Sequence, residues 1–313
     1  MKFPLLLPAL SLLAVPVHAA VLGPYTADGN TIALFHFNEA AGTSDPGNPI
    51  GNYGSGGATL NLTNTGGPDG RSNSNGGGYG GASISGFGTS FNVLASGDGT
   101  YHSGGSGSTT GGGAMTSSQA ILQSSLQGAN GAMTLEAIVN FSSFTSGQEY
   151  TILSHDGLGT GTTNRGFIFR IDTSGNLSLY TGAASVAVAL PSSGANAFST
   201  NAWFHLAVSY NGAEGVANNV AFYWTAIDAG GTQANLIGNA TIAADLDGNS
   251  SNALGIGTTT RSEFRFEMPG RIDEVRISDI ARGPGDFLFV PEPSVAVLGC
   301  GGVFALLMAR RRR

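Results

Sequence analysis

"GRIDEVRISDIAR", residues 270–282, has a clear strand pattern near the end of this chain. Apolar and polar residues alternate along it, as they do in a β-strand whose two faces meet different surroundings. By this alternation Asp273 falls on the same side as Val275 and Ile277, and we expect its carboxylate to point into the core. A carboxylate buried there needs hydrogen bonds or a charged partner. The pattern therefore predicts a structural rather than a catalytic role for Asp273.

The same period of two recurs upstream. In residues 133–141 the apolar side chains share one face and Thr134, Glu136 and Asn140 share the other, which predicts a half-buried strand. Residues 167–171 and 177–179 flank a turn-forming Asp-Thr-Ser-Gly-Asn cluster, which predicts a hairpin. Three further strands are expected, around Ile32–Phe37, Phe204–Tyr210 and Val220–Trp224.

Glycine dominates one region of the chain. Of the 50 glycines in 313 residues, many lie within residues 42–131, alternating with Ser, Thr and Asn. This composition favours loops and short strands, and apolar residues such as Ile84 and Phe87 indicate that parts of the region fold onto the domain. No helical period of convincing length occurs between Ala20 and Pro291. Many short strands with Gly-rich turns predict an all-β antiparallel sandwich or jelly roll.

Three of these segments carry a family resemblance. "TIALFHFNEAAG" (31–42), "NAWFHLAVSYNG" (201–212) and residues 270–282 resemble the opening strand, the Trp-x-His strand and the closing strand of LamG-like, concanavalin A-like jelly rolls. Their order along the chain agrees with that family, and the resemblance spans about Thr31 to Arg282. It implies a jelly-roll domain over residues 21–289, with the Gly-rich residues 42–131 as an insertion.

The N-terminus has the layout of a secretory signal peptide. Lys2 supplies a positive charge, Phe3–Val17 is almost entirely apolar, and Ala19 and Ala20 offer small residues for cleavage. Residues 1–20 are therefore predicted to direct the chain to the export machinery and to be removed by signal peptidase.

The C-terminus, residues 290–313, predicts a second membrane signal. Pro291-Glu292-Pro293 is followed by an uncharged stretch, Ser294–Ala309, and then by four arginines, Arg310, Arg311, Arg312 and Arg313. Sixteen helical residues reach about 24 Å, slightly less than the ~30 Å hydrocarbon core, and arginines after an apolar run stay in the cytoplasm. The four arginines are thus expected to stop transfer and to leave the preceding chain outside.

Motif, spacing and terminal position together resemble a PEP-CTERM sorting signal. The resemblance implies that an exosortase-type enzyme recognises Pro291-Glu292-Pro293 and cuts near it. It also implies inner-membrane anchoring before processing, and then release to the cell surface or an extracellular polysaccharide matrix.

Charge and cysteine content limit the partners of the exported part. Without Lys2 and the four terminal arginines, it keeps 8 arginines against 19 or 20 carboxylates, a net charge near −11 or −12. Such a balance argues against nucleic acid and against anionic lipid surfaces. Cys300 is the single cysteine and lies in the tail, so the exported part can form no disulfide and must fold through its own core.

No catalytic set can be assembled from these residues. Concanavalin A-like relatives include glycoside hydrolases, whose retaining mechanism needs two carboxylates about 5.5 Å apart. Glu263 and Glu267 come nearest to their Glu-x-Asp-x-x-Glu strand, but Arg265 occupies the helper position. The prediction is a non-catalytic jelly roll that binds glycan or protein, and the alternative is an exported glycoside hydrolase with an atypical site.

Metal binding stays an open alternative at one place. No His pair has zinc-ligand spacing, whereas LamG-like domains often hold Ca²⁺ through carboxylates and carbonyls. The Ca²⁺ candidates are Asp28-Gly29-Asn30, His155-Asp156-Gly157 and a third segment in which Asp245 and Asp247 alternate before Gly248. For the third segment the spacing favours an Asx-rich turn over a Ca²⁺ site, and both interpretations remain.

Overall fold

The protein is described by a computed structural model that covers residues 24–38, 50–66, 76–84, 87–94, 112–116, 131–156, 165–181, 184–227, 233–243, 254–259 and 268–287. These residues form an all-β fold with short 3-10 helices at Gly57–Leu60 and Pro284–Asp286. The strands are β1 Thr31–Phe35, β2 Leu62–Gly66, β3 Gly76–Ala82, β4 Thr89–Leu94, β5 Gly112–Thr116, β6 Met133–Phe141, β7 Tyr150–Asp156, β8 Arg165–Ile171, β9 Asn176–Tyr180, β10 Ser185–Ala189, β11 Trp203–Tyr210, β12 Val220–Ala226, β13 Leu236–Ala240, β14 Leu254–Ile256 and β15 Gly270–Ser278.

The described strands form two antiparallel sheets. The first sheet has the order β13-β12-β11-β6-β15. On the other side of β15, its first residues pair with β4, which in turn pairs with β3, and its last residues pair with β1. The second has the order β10-β9-β8-β7-β14-β5-β2. The closing strand β15 thus lies inside the first sheet, next to β1 from the start of the domain. The predicted antiparallel sandwich is confirmed.

The core fills the space between the two sheets. Phe141 of β6 contacts Tyr150 of β7 edge-on, and Trp224 of β12 packs against Phe204 and Phe198 with ring centroids 4.6 and 5.8 Å apart. Inward residues of β8 and β9 belong to the same buried cluster. This burial is the main stabilising term for a fold without disulfides in its described part.

Most predicted strands are confirmed. β6, β11, β12 and the early strand β1 lie where the alternation placed them, and β8 pairs with β9 across the turn that Asp172 begins. The Gly-rich region contributes β2, β3, β4 and β5, and Phe87 is buried. Ile84 and Phe87 therefore pack onto the domain, as predicted.

One detail of β6 was wrong. The strand is buried on both faces, because Thr134 and Glu136 are as inaccessible as its core residues. The N-terminal segment covers the outer face of the sheet here: Tyr25 and Leu34 pack with Ile138 of β6 in a small cluster of their own. The face of β6 that was predicted to be exposed thus carries charged and polar side chains that the N-terminal segment covers.

Among the described residues there is no helix long and apolar enough to cross a membrane. The predicted signal peptide and the C-terminal signal lie outside the described residues.

Candidate functional site

Glu136 is the centre of the polar layer on the outer face of the first sheet. It lies opposite Arg276 in the pairing of β6 with β15, and the two groups form an ion pair of 2.7 Å. Tyr25 Oη donates a 2.5 Å hydrogen bond to the same carboxylate, and His205 Nε2 lies 3.4 Å from it. The Arg276 guanidinium also stacks over the Tyr25 ring at 4.1 Å. Burial together with this negative carboxylate raises the pKa of Tyr25.

A second ion pair joins the two ends of the domain. Arg282 follows β15 and donates hydrogen bonds to Asp28 Oδ1 at 2.7 Å and to Ser278 Oγ at 2.8 Å. Asp28 also accepts hydrogen bonds from the Asn30 amide and the Thr31 hydroxyl. The hydrogen bond from Arg282 holds the pKa of Asp28 well below its usual range. Asp28-Gly29-Asn30 is therefore an Asx turn whose carboxylate is engaged by arginine.

Strand β15 carries a β-bulge that sequence alternation could not predict. Asp273 pairs with Ile138, but Arg276 pairs with Glu136, so Glu274 and Val275 together face one residue of β6. Ile272, Val275 and Ile277 all join the main core. Asp273 instead lies on the outer face with its partner Ile138, which corrects the prediction that it shares a side with Val275.

Asp273 is buried on that outer face, where Ser83 Oγ and the Glu274 amide donate hydrogen bonds to it. Burial, opposed by the Ser83 hydrogen bond and reinforced by the nearby Glu274 charge, raises the pKa of Asp273 from 3.8 to about 8. The predicted hydrogen-bonded carboxyl is thus present, in a protonated form at neutral pH.

Glu274 occupies the extra position of the bulge, and it holds a histidine. Its backbone has φ +47°, and its buried carboxylate accepts hydrogen bonds from the Tyr25 amide at 2.8 Å and from His36 Nδ1 at 2.8 Å. His36 follows β1 directly and keeps 17% of its side chain exposed. Its ring lies 4.7 Å from the ring of Tyr53, which is 58% exposed. A buried carboxylate, a largely buried imidazole and an exposed phenol therefore follow one another from the sheet to the surface.

This arrangement has little capacity for hydrolysis. Glu136, Asp273 and Glu274 are fully buried, so a polysaccharide bond cannot reach them. Glu136 and Glu274 are bound by arginine, histidine, tyrosine or backbone amides, and Asp273 by a serine and an amide. Retaining and inverting hydrolysis both need two carboxyl groups that flank the bond to be cut. The polar layer thus stabilises the joint between the N-terminal segment and the closing strand.

Most of the site residues predicted from the sequence lie outside the described residues. These are the sorting motif Pro291, Glu292 and Pro293, the stop-transfer residues Arg310 to Arg313, the Ca²⁺ candidates Asp245 and Asp247, and the carboxylates Glu263 and Glu267. Of the remaining histidines, His155 is buried 5.8 Å from the Phe167 ring and His205 packs 5.1 Å from Phe287. Across the described ranges, no three His, Cys, Asp or Glu side chains cluster as metal ligands.

Three important residues were missed at the sequence level. Glu274 lies in the alternating segment 270–282 and was not singled out, Tyr53 stands in the Gly-rich region, and Tyr25 precedes the first predicted strand. The signal for Glu274 was the pair of adjacent acids within an alternating strand, since one of two neighbours must break the alternation. No sequence pattern could have identified Tyr53, because its ring comes close to that of His36 only in the folded protein.

Comparison with known proteins agrees with this architecture. Residues 110–286, more than half of the chain, match the family described as the concanavalin A-like lectin/glucanases superfamily, in its laminin G group. The chain belongs to this superfamily. The match includes β6 and β15, whereas Tyr25, His36 and Tyr53 lie outside it. No sequence among curated proteins is detectably similar to this chain.

Solved structures are similar to this chain at low identity. Domain 4 of an extracellular GH43 arabinanase from Geobacillus stearothermophilus, in complex with arabinotriose, is 16% identical with a TM-score of 0.48, over 82% of this chain and 96% of that one. A botulinum neurotoxin type C structure, whose cell entry depends on two ganglioside molecules, is 16% identical with a TM-score of 0.49, over 82% and 49%. A Trypanosoma rangeli sialidase is 11% identical with a TM-score of 0.45, over 88% and 35%. The chain thus spans about half of the toxin chain.

Proposed function

We propose that this superfamily member is an exported, non-catalytic binding protein of the bacterial cell surface or extracellular matrix. Its jelly roll binds glycan or another protein. The N-terminal signal delivers it across the inner membrane, and an exosortase-type enzyme processes it at Pro291-Glu292-Pro293. Membership of a lectin and glucanase superfamily supports binding, and the terminal sequences support sorting.

One observation carries the non-catalytic part of the proposal. The acidic side chains of the polar layer are buried and engaged by protein groups, so this region offers no pair of carboxyl groups to a substrate. The acidic balance of the chain suits recognition of an uncharged or cationic partner better than of a polyanion.

Intact mass tests the sorting. The protein is recovered from the envelope and the medium of its own bacterium and weighed by mass spectrometry. We expect a species that starts near Ala20 or Val21 and ends near Pro291 to Pro293. A species that still ends at Arg313 in every fraction would contradict processing at the motif.

Incubation with polysaccharides tests the lack of catalysis. The purified protein is expected to release no new reducing ends from neutral or anionic polysaccharides. Release that disappears in Glu263→Gln, with an unchanged melting temperature, would replace the binding function with an atypical hydrolase.

A further inference from the structure

Backbone strain in the described residues concentrates around His36. Four non-glycine residues have positive φ: Phe37, Asn201, Asn218 and Glu274. Asparagine tolerates this region, whereas a bulky aromatic or a glutamate is uncommon there. Phe37 follows His36 in the chain, and Glu274 binds its ring. Strain of this kind persists where the surroundings enforce it, and it clusters at functional sites.

The strained glutamate fixes the chemistry of the imidazole. A carboxylate can only accept, so Nδ1 of His36 carries the proton of the 2.8 Å hydrogen bond. In the neutral ring Nε2 is then a hydrogen-bond acceptor. Within the described ranges, the contacts of His36 are the Nδ1 hydrogen bond to Glu274 and the ring contact with Tyr53, and 17% of its side chain is exposed. Nε2 is therefore the ring atom that we assign to an external donor.

Tyr53 is presented by a rigid loop. Its amide donates to Leu34 O at 2.9 Å, and Gly56 N donates to Ile32 O at 2.9 Å, so the loop follows the free edge of β1. The Asn52 side chain accepts from Leu34 N and Gly54 N, both at 2.9 Å, and so ties the loop to the strand. A side chain at Gly54 would place Cβ 2.3 Å from Ile32 O. The backbone that carries the exposed ring is therefore fixed before binding, which lowers the entropy lost when a ligand binds.

We infer that Tyr53 and His36 form a binding subsite for a neutral pyranose unit of a glycan, an inference that rests on the proposed binding function. The apolar C–H face of the sugar stacks on the Tyr53 ring, whose face is electron-rich. A hydroxyl of the same sugar donates to His36 Nε2. Glu274 is a positioning residue that sets the imidazole tautomer and does not touch the sugar.

Charge and surface shape select this occupant. The exported part carries a net charge near −11 or −12, which repels polyanionic glycans. Protein interfaces bury about 1,200–2,000 Å² around a central apolar patch. The other exposed large apolar residues of the described chain are Val216, in the loop before β12, and Leu236, on β13 at the opposite edge of the sheet. A single ring beside a hydrogen-bond acceptor matches one sugar and not a protein partner.

Affinity electrophoresis tests the subsite. The full chain is expressed, purified and run in native gels that contain a neutral β-glucan, mannan, galactan or arabinan, with alginate as the anionic comparison. We expect at least one neutral polysaccharide to retard the protein. Tyr53→Ala should weaken this retardation at least about tenfold, whereas Tyr53→Phe and the matched exposed variant Val216→Ala should preserve it. Tyr53 is exposed, so its removal leaves the fold intact.

A second measurement follows the imidazole. Addition of the retarding glycan as a short oligosaccharide should shift the NMR resonance of His36 Nε2 and leave that of the buried His205 in place.

The outcomes separate the subsite from the function. Unchanged retardation of Tyr53→Ala would overturn the subsite and leave the binding function standing. Retardation by alginate alone would overturn the neutral ligand, again with the function standing. A folded protein that no polysaccharide retards would overturn both the subsite and glycan binding.

Discussion

Asp273 is a single carboxyl whose burial is expected to make stability depend on pH. Its pKa in the folded protein is about 8, against an ordinary value of 3.8, so the protonated form favours the fold. This contribution is complete below about pH 4 and is lost as the pH rises through about 8. Asp273, which alternation assigned to the core, thus lowers the stability of the folded protein at alkaline pH.

Asp273→Asn should remove this dependence. The amide keeps an oxygen that accepts from Glu274 N and an NH₂ that donates to Ser83, without a charge to bury. We expect the variant to be more stable than the parent at pH 8 by on the order of 1–3 kcal/mol, and equally stable near pH 4. Urea unfolding at the two pH values measures this. Equal stability of the two proteins at pH 8 would contradict a buried, protonated Asp273.

At the scale of the element, β15 depends on a close contact at its first residue. Gly270 has φ +148°, and a Cβ there would lie 1.9 Å from Asn140 O of the paired strand β6. Gly270→Ala should therefore move β15 away from β6 and destabilise the protein by more than about 1 kcal/mol. Gly29→Ala is the control, because nothing lies within 4 Å of a Cβ at that turn. Thermal unfolding of both variants is the measurement, and equal melting temperatures would refute the contact.

Strands could be predicted from the sequence where the two-residue alternation of apolar and polar side chains holds over their whole length. β6, β11 and the β8–β9 hairpin follow strict alternation, so their inward residues were identified correctly. β15 breaks the alternation at Glu274, where a β-bulge inserts one extra residue. Which residues of β15 face outward on either side of the bulge is therefore known only from the pairing of β15 with β6. Burial of Glu136 was missed for a related reason. The residues that cover it come from segments more than a hundred positions away in the sequence.

The candidate subsite shows the same limit more strongly. His36 belongs to the segment Ile32–Phe37, which was expected to be a strand, and its ring lies against the ring of Tyr53. Its role depends on Tyr53 from a Gly-rich segment and on Glu274, 238 positions later. Composition can identify such a segment as loop-forming, but the backbone hydrogen bonds that fix Tyr53 on the edge of β1 arise only in the folded sheet.

Across the whole molecule, the first and last described segments hold each other. Arg282 binds Asp28, 254 positions apart, and the segment that begins with Tyr25 covers the centre of the first sheet. The pKa of Asp28 is depressed in the folded protein, so its contribution is present above its ordinary value of 3.8 and lost as the pH falls below it. Asp28→Asn should thus destabilise the protein at pH 7 and approach the parent in acid, opposite in sign to Asp273→Asn.

The size of this effect follows from exposure. The Asp28 side chain is 45% exposed, so solvent screens the ion pair and the loss at pH 7 should not exceed about 1 kcal/mol. Hydrogen exchange of the Asp28→Asn variant gives the sharper measurement. In this variant the amides of Asn30 and Thr31 should lose protection from exchange before the amides of β6 do. Uniform loss of protection across β6 and the N-terminal segment would mean that the two ends unfold with the core, and that Asp28 and Arg282 do not act as a separate local tie.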